Sequence, residues 1–349
     1  MSSNIQPVKN ILFLTGFFIF VVLMGGCEPA APKAIALTGY TMGTSYHIKV
    51  VGDDLPSSDS LQKEVDELLV GVNNVFSTYL ESSEVSQLNA YNGMEWREMS
   101  EEFVSLTEMA LELSRITEGG YDVTVGPLVN LWGFGPSFTE GDIPDDADIQ
   151  RALAKIGYEN VVLDIAANKL KKLTPDIYID FSSIAKGYGV DQVAELIVSK
   201  GYLNYMVEIG GEMRVSGING EGGRWRIAVE KPDSSMRAIQ RVIQLSNTAI
   251  ATSGDYRNFF TKDGRRFSHT LDPVTGSPVQ HSLASVTVLS PSSALADGWA
   301  TAFMVLGAKK GHALAIENEL AVLFLVKNGA NIEEIMTPHF KELIAEDSL

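Results

Sequence analysis

Asp297 and Thr301, inside Ala296-Asp297-Gly298-Trp299-Ala300-Thr301, give the chain its clearest chemical signal. On a helix, a carboxylate and a hydroxyl four residues apart lie one above the other on one face. That pair suits a hard cation such as Mg²⁺, which takes oxygen ligands and keeps some of its waters. It equally fits a solvated Asp near a helix N-terminus, stabilised by the helix dipole. A second cluster is Asp180-Phe181-Ser182-Ser183-Ile184-Ala185-Lys186-Gly187-Tyr188. An apolar strand ends in an acid, and a small-residue turn opens a helix with Lys186 in its first turn. Free backbone N–H groups there can hold anionic or carbonyl oxygens; the plainer alternative is an Asp cap with an exposed Lys.

A third cluster, Ser268-His269-Thr270-Leu271-Asp272-Pro273-Val274-Thr275-Gly276, puts an imidazole at a strand end before a turn. Of His47, His269, His281, His312 and His339, His269 has the most site-like setting, although a lone His is also a common structural residue. The fourth cluster is glycine-dense, running from Gly119-Gly120-Tyr121-Asp122 through Gly126-Pro127 to Trp132-Gly133-Phe134-Gly135. Glycine lets backbone approach a ligand, and Trp132 and Phe134 could line a flat ring; a loop packed by its own aromatics is the other reading. Ile209-Gly210-Gly211-Glu212 lacks the glycine spacing and following helix of a dinucleotide fingerprint.

Periodicity supplies the elements that must position these groups. Apolar spacing predicts helices over 60–76, 100–117, 148–156, 183–200 and 293–306. Strands are expected at 40–51, 161–165, 177–181, 205–209, 212–216, 225–230, 242–245, 249–252, 285–289 and 321–326, with a hairpin at 256–269 turning on Asp263-Gly264. Residues 121–146 read as a loop or broken segment. Such irregular alternation favours an α+β fold with mixed or antiparallel sheets flanked by helices over a doubly wound parallel sheet.

Composition bounds the chemistry. The chain of 349 residues carries 27 Lys+Arg against 44 Asp+Glu, a formal net charge of −17, which disfavours nucleic-acid binding. One Cys excludes an intramolecular disulfide, a thiolate zinc site and an iron–sulfur cluster. That residue, Cys27, follows Lys9, an apolar run from Ile11 to Met24 and the pair Gly25-Gly26. The pattern is that of a secretory signal over 1–26, and its end resembles a bacterial lipobox, in which the thiol receives a diacylglycerol. A retained transmembrane anchor, a non-lipidated signal peptide and a buried core segment are the competing readings. Residues 27–37 then form an extended tether and 38–349 the catalytic domain.

The order of these clusters, with Met42-Gly43-Thr44, Phe76-Ser77-Thr78-Tyr79, Ser83-Glu84-Val85, Gly210-Gly211-Glu212 and Ala251-Thr252-Ser253-Gly254-Asp255-Tyr256, resembles the FAD:protein FMN transferase (ApbE) family from Met42 to about Gly307. The resemblance implies a two-lobed single unit and a membrane-anchored, Mg²⁺-dependent periplasmic enzyme. Such an enzyme splits FAD, transfers FMN to a Thr or Ser hydroxyl of a partner protein and releases AMP. Its implied acceptors include flavoprotein subunits of respiratory complexes. Met42, Tyr79, Gly120, Tyr121, Asp122, Asp180, Lys186 and Leu271 match FAD-contacting positions. Asp297 and Thr301 match side-chain metal ligands, Ser183 a backbone-carbonyl ligand, and His269 the residue that assists transfer. Gly298-Trp299 departs from the smaller or aliphatic residues of many relatives. An FAD pyrophosphatase and a non-catalytic flavin-binding lipoprotein are the alternatives.

Overall fold

A computed structural model describes residues 33–136, 143–232, 238–255, 259–262, 264–329 and 331–345. Cys27 and the leader before it lie outside the described residues, as do Tyr256 and Asp263 of the expected hairpin. Among the described residues no helix is long and apolar enough to cross a membrane.

The spine is an eight-stranded sheet. In spatial order its strands are Ala34–Thr41, Thr44–Val51, Asn204–Ile209, Glu212–Ser216, Thr248–Gly254, Leu283–Ser290, Ala321–Asn328 and Asn331–Met336, every neighbouring pair antiparallel. Around it stand α1 (Ser58–Phe76), α2 (Glu84–Ala90), α3 (Glu101–Ile116), α4 (Gly126–Leu131), α5 (Asp146–Leu153), α6 (Ala185–Ser199), α7 (Ser293–Glu317) and α8 (Pro338–Ala345). The central strands are continuously apolar because both sheet faces are covered. Val286, Val288, Val322 and Phe324 pack in one cluster with Phe103 of α3 and Phe303 of α7. Ile250, Leu289, Leu323 and Leu325 belong to another, with Trp225, Ile227, Ile243 and Phe340. The architecture is therefore α+β with antiparallel sheets flanked by helices, as the irregular alternation predicted.

Several expected elements differ. The single strand 40–51 is a hairpin that turns at Met42-Gly43, where φ is +49° and +73°. Its first strand starts at Ala34 and buries Leu37, so the last four residues of the supposed tether already belong to the sheet edge. Residues 177–181 pair in no sheet among the described residues; the strand lies earlier, at Lys169–Lys172. Buried Ile177, Ile179 and Phe181 produce the alternation, but a side chain replaces the neighbouring strand: Asn89 Nδ2 donates to the Ile179 carbonyl and Asn89 Oδ1 accepts from its N–H, both at 2.8 Å. Buried Lys172 anchors the same segment, its Nζ donating to the carbonyls of Tyr91 (2.5 Å), Pro175 (3.0 Å), Leu88 and Ile177 (3.3 Å each). The expected 293–306 helix continues to Glu317 across a break at Gly307 (φ +74°), where His281 Nε2 lies 2.8 Å from the Met304 carbonyl oxygen.

The contact between α6 and α7 positions the chemistry. Asp191 on α6 accepts from the Ser293 and Ala294 N–H groups, both at 3.0 Å, and from the Ser292 hydroxyl at 2.8 Å. One carboxylate thus satisfies several orphan donors at the start of α7 and complements its dipole. Arg214 holds that carboxylate from the sheet side at 3.2 Å. Gly187 lets the helices close: a Cβ there would lie 2.6 Å from the Ser293 carbonyl carbon and 2.7 Å from the Ala294 Cα.

Candidate active site

Between the openings of α6 and α7, the Gly210-Gly211 turn, the end of the Thr248–Gly254 strand and the 268–273 segment lies a cavity of about 590 Å³. That volume falls within the roughly 300–1,000 Å³ of small-molecule sites.

Its charged centre is built from three elements. Lys186 Nζ, on the first turn of α6, lies 3.3 Å from Asp297 Oδ2 of α7 and 3.5 Å from Glu212 Oε1. Glu212 opens a sheet strand directly after Gly210 and Gly211, whose φ values of +64° and +109° make the tight turn. The Gly187 N–H also donates to Asp297 Oδ2, at 3.2 Å. Asp297 and Glu212 are 2% and 4% exposed, so each carboxylate depends on this local charge. Burial pushes the Glu212 carboxyl up to about 8, with Lys186 pulling it down and Asp297 pushing it further up. Burial likewise raises the Asp297 carboxyl, against the pull of Lys186 and the Gly187 N–H. Burial by itself lowers a lysine, but Asp297 and Glu212 outweigh it and hold Lys186 above its usual value.

The oxygens fit a hard cation. Thr301 lines the same cavity as Asp297, and the Ser253 hydroxyl lies 3.5 Å from the Thr301 Oγ1. In a regular helix the Gly187 N–H would return to the Ser183 carbonyl; here it goes to Asp297, and α6 begins only at Ala185. The Ser183 carbonyl therefore stands outside the helical ladder at the cavity wall. Among the described residues no three His, Cys, Asp or Glu converge as metal ligands. An ion here would draw on one carboxylate with hydroxyl and carbonyl oxygens, a donor set suited to Mg²⁺ rather than zinc.

The remaining predicted residues gather around this centre. Met42, Tyr79, Gly120, Tyr121, Asp122 and Leu271 all line the cavity. Tyr79 is exposed, whereas Tyr121 is buried, with its hydroxyl accepting from Ser183 Oγ at 3.0 Å. Burial raises the Tyr121 phenol, keeping it neutral. Asp122 is consumed by structural hydrogen bonds, accepting from the Thr124 N–H (2.8 Å), the Thr124 hydroxyl (2.6 Å) and, 36 residues on, the Tyr158 N–H (3.1 Å). Asp180 does not line the cavity; it lies beneath the wall, accepting from the Ser182 N–H at 2.8 Å.

His269 lines the cavity directly after the Arg265–Ser268 strand. Phe134 meets its ring edge-on, with centroids 6.3 Å apart. Trp132 does not line a ligand: it is buried against Phe267, and its Nε1 donates to the Gly276 carbonyl at 2.9 Å. Sequence reasoning gave no role to Glu212 or Ser253, although both stood within quoted landmarks. Gly298 and Trp299 keep the site intact. A Cβ on Gly298 would lie 2.7 Å from Leu113 of α3, and Trp299 stacks on Phe303 at 5.1 Å, facing the core.

A model of the ApbE family matches residues 42–324. The chain belongs to the ApbE family. It is 45% identical over 327 residues to the FAD:protein FMN transferase of Vibrio cholerae serotype O1, an alignment covering 93% of this chain and 97% of that one. To the Haemophilus influenzae protein of the same name it is 44% identical over 317 residues, covering 89% and 92%. Among solved structures, the flavin transferase ApbE from Vibrio cholerae superposes with a TM-score of 0.83 at 44% identity, covering 89% of this chain and 99% of that one. The apo form of Pseudomonas stutzeri flavinyl transferase ApbE gives a TM-score of 0.82 at 39% identity, covering 90% and 97%. As an ApbE-family member the chain is an enzyme, of the transferase class that these relatives' names carry. Both the family and the α+β architecture implied by the sequence are those found.

Proposed function

We propose that this transferase binds FAD in the cavity and passes its FMN to a Thr or Ser hydroxyl of an acceptor protein, with AMP leaving. The observation that carries this reading is that Asp297, Thr301 and His269, from segments distant in sequence, line one cavity. Met42, Tyr79, Gly120, Tyr121, Lys186 and Leu271 line it and hold FAD, while Asp122 and Asp180 fix the loops that present them. Asp297, Thr301 and the Ser183 carbonyl would hold Mg²⁺. Bound there, the ion would supply charge neutralisation at the diphosphate.

The protein's own groups account for the rest. The acceptor oxygen forms a bond to the FMN phosphorus as the bond to AMP breaks, and His269 takes the hydroxyl proton as general base. The hydroxyl approaches past Tyr79, the exposed side chain of the cavity wall. We assign the enzyme to the periplasmic face of the membrane, anchored by a lipid on Cys27, where flavoprotein subunits of respiratory complexes are the acceptors.

Incubation with FAD, Mg²⁺ and a co-expressed acceptor tests the proposal, with mass spectrometry locating an FMN adduct on one hydroxyl. His269→Ala should lower the transfer rate by about 10²–10⁴-fold. Full activity in that variant refutes the role of His269, and free FMN without an adduct refutes transfer.

A further inference from the structure

Glu212 has no part in that mechanism, yet it is the most deeply committed group beside it. It is 4% exposed, its Oε1 faces Lys186 Nζ at 3.5 Å, and its Oε2 is a buried oxygen with no hydrogen-bond partner. A buried acceptor left without a donor is rare and costly, so a fold that keeps one next to a charged cluster calls for an explanation. The explanation lies in what Lys186 does now. Its ammonium rests 3.3 Å from Asp297 Oδ2, on the carboxylate that the proposed function gives to a divalent cation. An ammonium and a divalent ion repel strongly at such range in a buried setting, so the cation can hold Asp297 only if Lys186 yields it.

We propose that Glu212 is a positioning residue that receives the Lys186 ammonium when a divalent cation takes Asp297. The ammonium already lies within 3.5 Å of Oε1, so a turn of the last side-chain bonds brings it fully onto the Glu212 carboxyl oxygens. The geometry confines the motion to the tip. The Gly210-Gly211 turn runs beside the Lys186 stem, where a Cβ on Gly210 would reach contact with Cδ at 3.4 Å, and the tip has two landing places, Asp297 and Glu212. Lys186 then stays in the cavity as a second positive charge beside the ion, where an anionic diphosphate can use it. Glu212 touches neither substrate nor ion in this account; it acts through Lys186.

The inference rests on the cation reading above, and binding of Mn²⁺ alone to the metal-free, FAD-free protein separates the two. Titration is followed by electron paramagnetic resonance in wild type, E212Q, E212D, K186Q and the K186Q/E212Q double variant, each confirmed as folded by near-UV circular dichroism. In wild type, Glu212→Gln should weaken Mn²⁺ binding by about tenfold, because the ammonium stays on Asp297; in the Lys186→Gln background the same change should cost less than about threefold. Lys186→Gln by itself should bind Mn²⁺ at least as tightly as wild type, and Glu212→Asp should recover part of the loss. Equal weakening in both backgrounds would mean that Glu212 acts on the ion directly, and would overturn the proposal. Wild-type binding left unchanged by E212Q overturns it alone, whereas no Mn²⁺ binding by wild type removes the cation reading and this inference together.

Discussion

Replacing Gly187 by Ala sets two known effects against each other at the contact that carries the site. In a helix interior Ala is favoured over Gly by about 1 kcal/mol, so propensity predicts a more stable protein. Sterics predict the reverse. The new Cβ would lie 2.6 Å from the Ser293 carbonyl carbon and 2.7 Å from the Ala294 Cα, closer still to the Ser293 carbonyl oxygen, against ordinary contact at 3.4 Å. All three obstacles are backbone, so no side chain can swing aside. The helices must part by about 0.8 Å there, which pulls the 3.2 Å hydrogen bond from the Gly187 N–H to Asp297 out of range. Overpacking of this kind costs about 1–3 kcal/mol and loses a backbone bond besides, so sterics win by about 1–2 kcal/mol. In a chain of this size that lowers Tm by about 1–3 °C. Moving the start of α6 away from α7 also shifts Ser183 and Lys186 relative to Asp297 and Thr301, and should cut transfer by about 10²-fold. Gly71 is the control, an exposed helical glycine with nothing within 4 Å of its would-be Cβ. Gly71→Ala should raise Tm and leave transfer unchanged, by the propensity term with no steric debt. Thermal melts and initial transfer rates of both variants decide the matter. If Gly187→Ala melts at or above wild type with full activity, the argument from the α6–α7 contact is wrong.

Other perturbations follow from the same geometry. Asp191→Ala removes the acceptor shared by Ser292, Ser293, Ala294 and Arg214, and should lower the unfolding free energy by about 2–3 kcal/mol in urea melts; a loss below about 0.5 kcal/mol would deny its capping role. Lys172→Met leaves the Tyr91 and Pro175 carbonyls without their buried donor, and should cost about 2–4 kcal/mol, with faster amide exchange at Ile179; protection unchanged there would sever Lys172 from the site. Glu212 bears on pH dependence in the metal-free protein. Its carboxyl is raised from 4.5 to about 8 by burial, so between those values the folded state binds a proton that the unfolded state has released. Stability therefore falls as pH rises through that window. In EDTA the fall of Tm from pH 5 to pH 8 should be shallower in Glu212→Gln than in wild type, and identical slopes would refute the shift.

What the sequence disclosed and what it hid divide along a physical line. Asp297 and Thr301 were legible because helical period alone fixes their common face, and Ser183–Lys186 because a turn opening a helix is a local pattern. The groups that escaped notice act across the chain. Asp191 reads as an ordinary polar residue of α6, and its capping of α7 exists only once residues 102 apart in sequence meet. Glu212 follows a glycine pair that fails the dinucleotide pattern, and only the turn made by those glycines delivers its carboxyl group to Lys186. Residues 177–181 alternate like a strand, and no local signal tells that Asn89 and Lys172 supply the hydrogen bonds that a neighbouring strand would give. Trp132 shows the opposite error, since an aromatic in a glycine-rich loop suggests a ligand wall until its N–H finds the Gly276 carbonyl. The charged centre lies in the same class as Asp191. Asp297 arrives on α7, Lys186 on α6 and Glu212 on a sheet strand, and the two acids are buried at a cost that their shared ammonium offsets, helped at Asp297 by the Gly187 N–H. A site assembled that way cannot be built from one segment at a time. Its stability and its chemistry depend on the same three-way contact, so variants that disturb either helix should change both together.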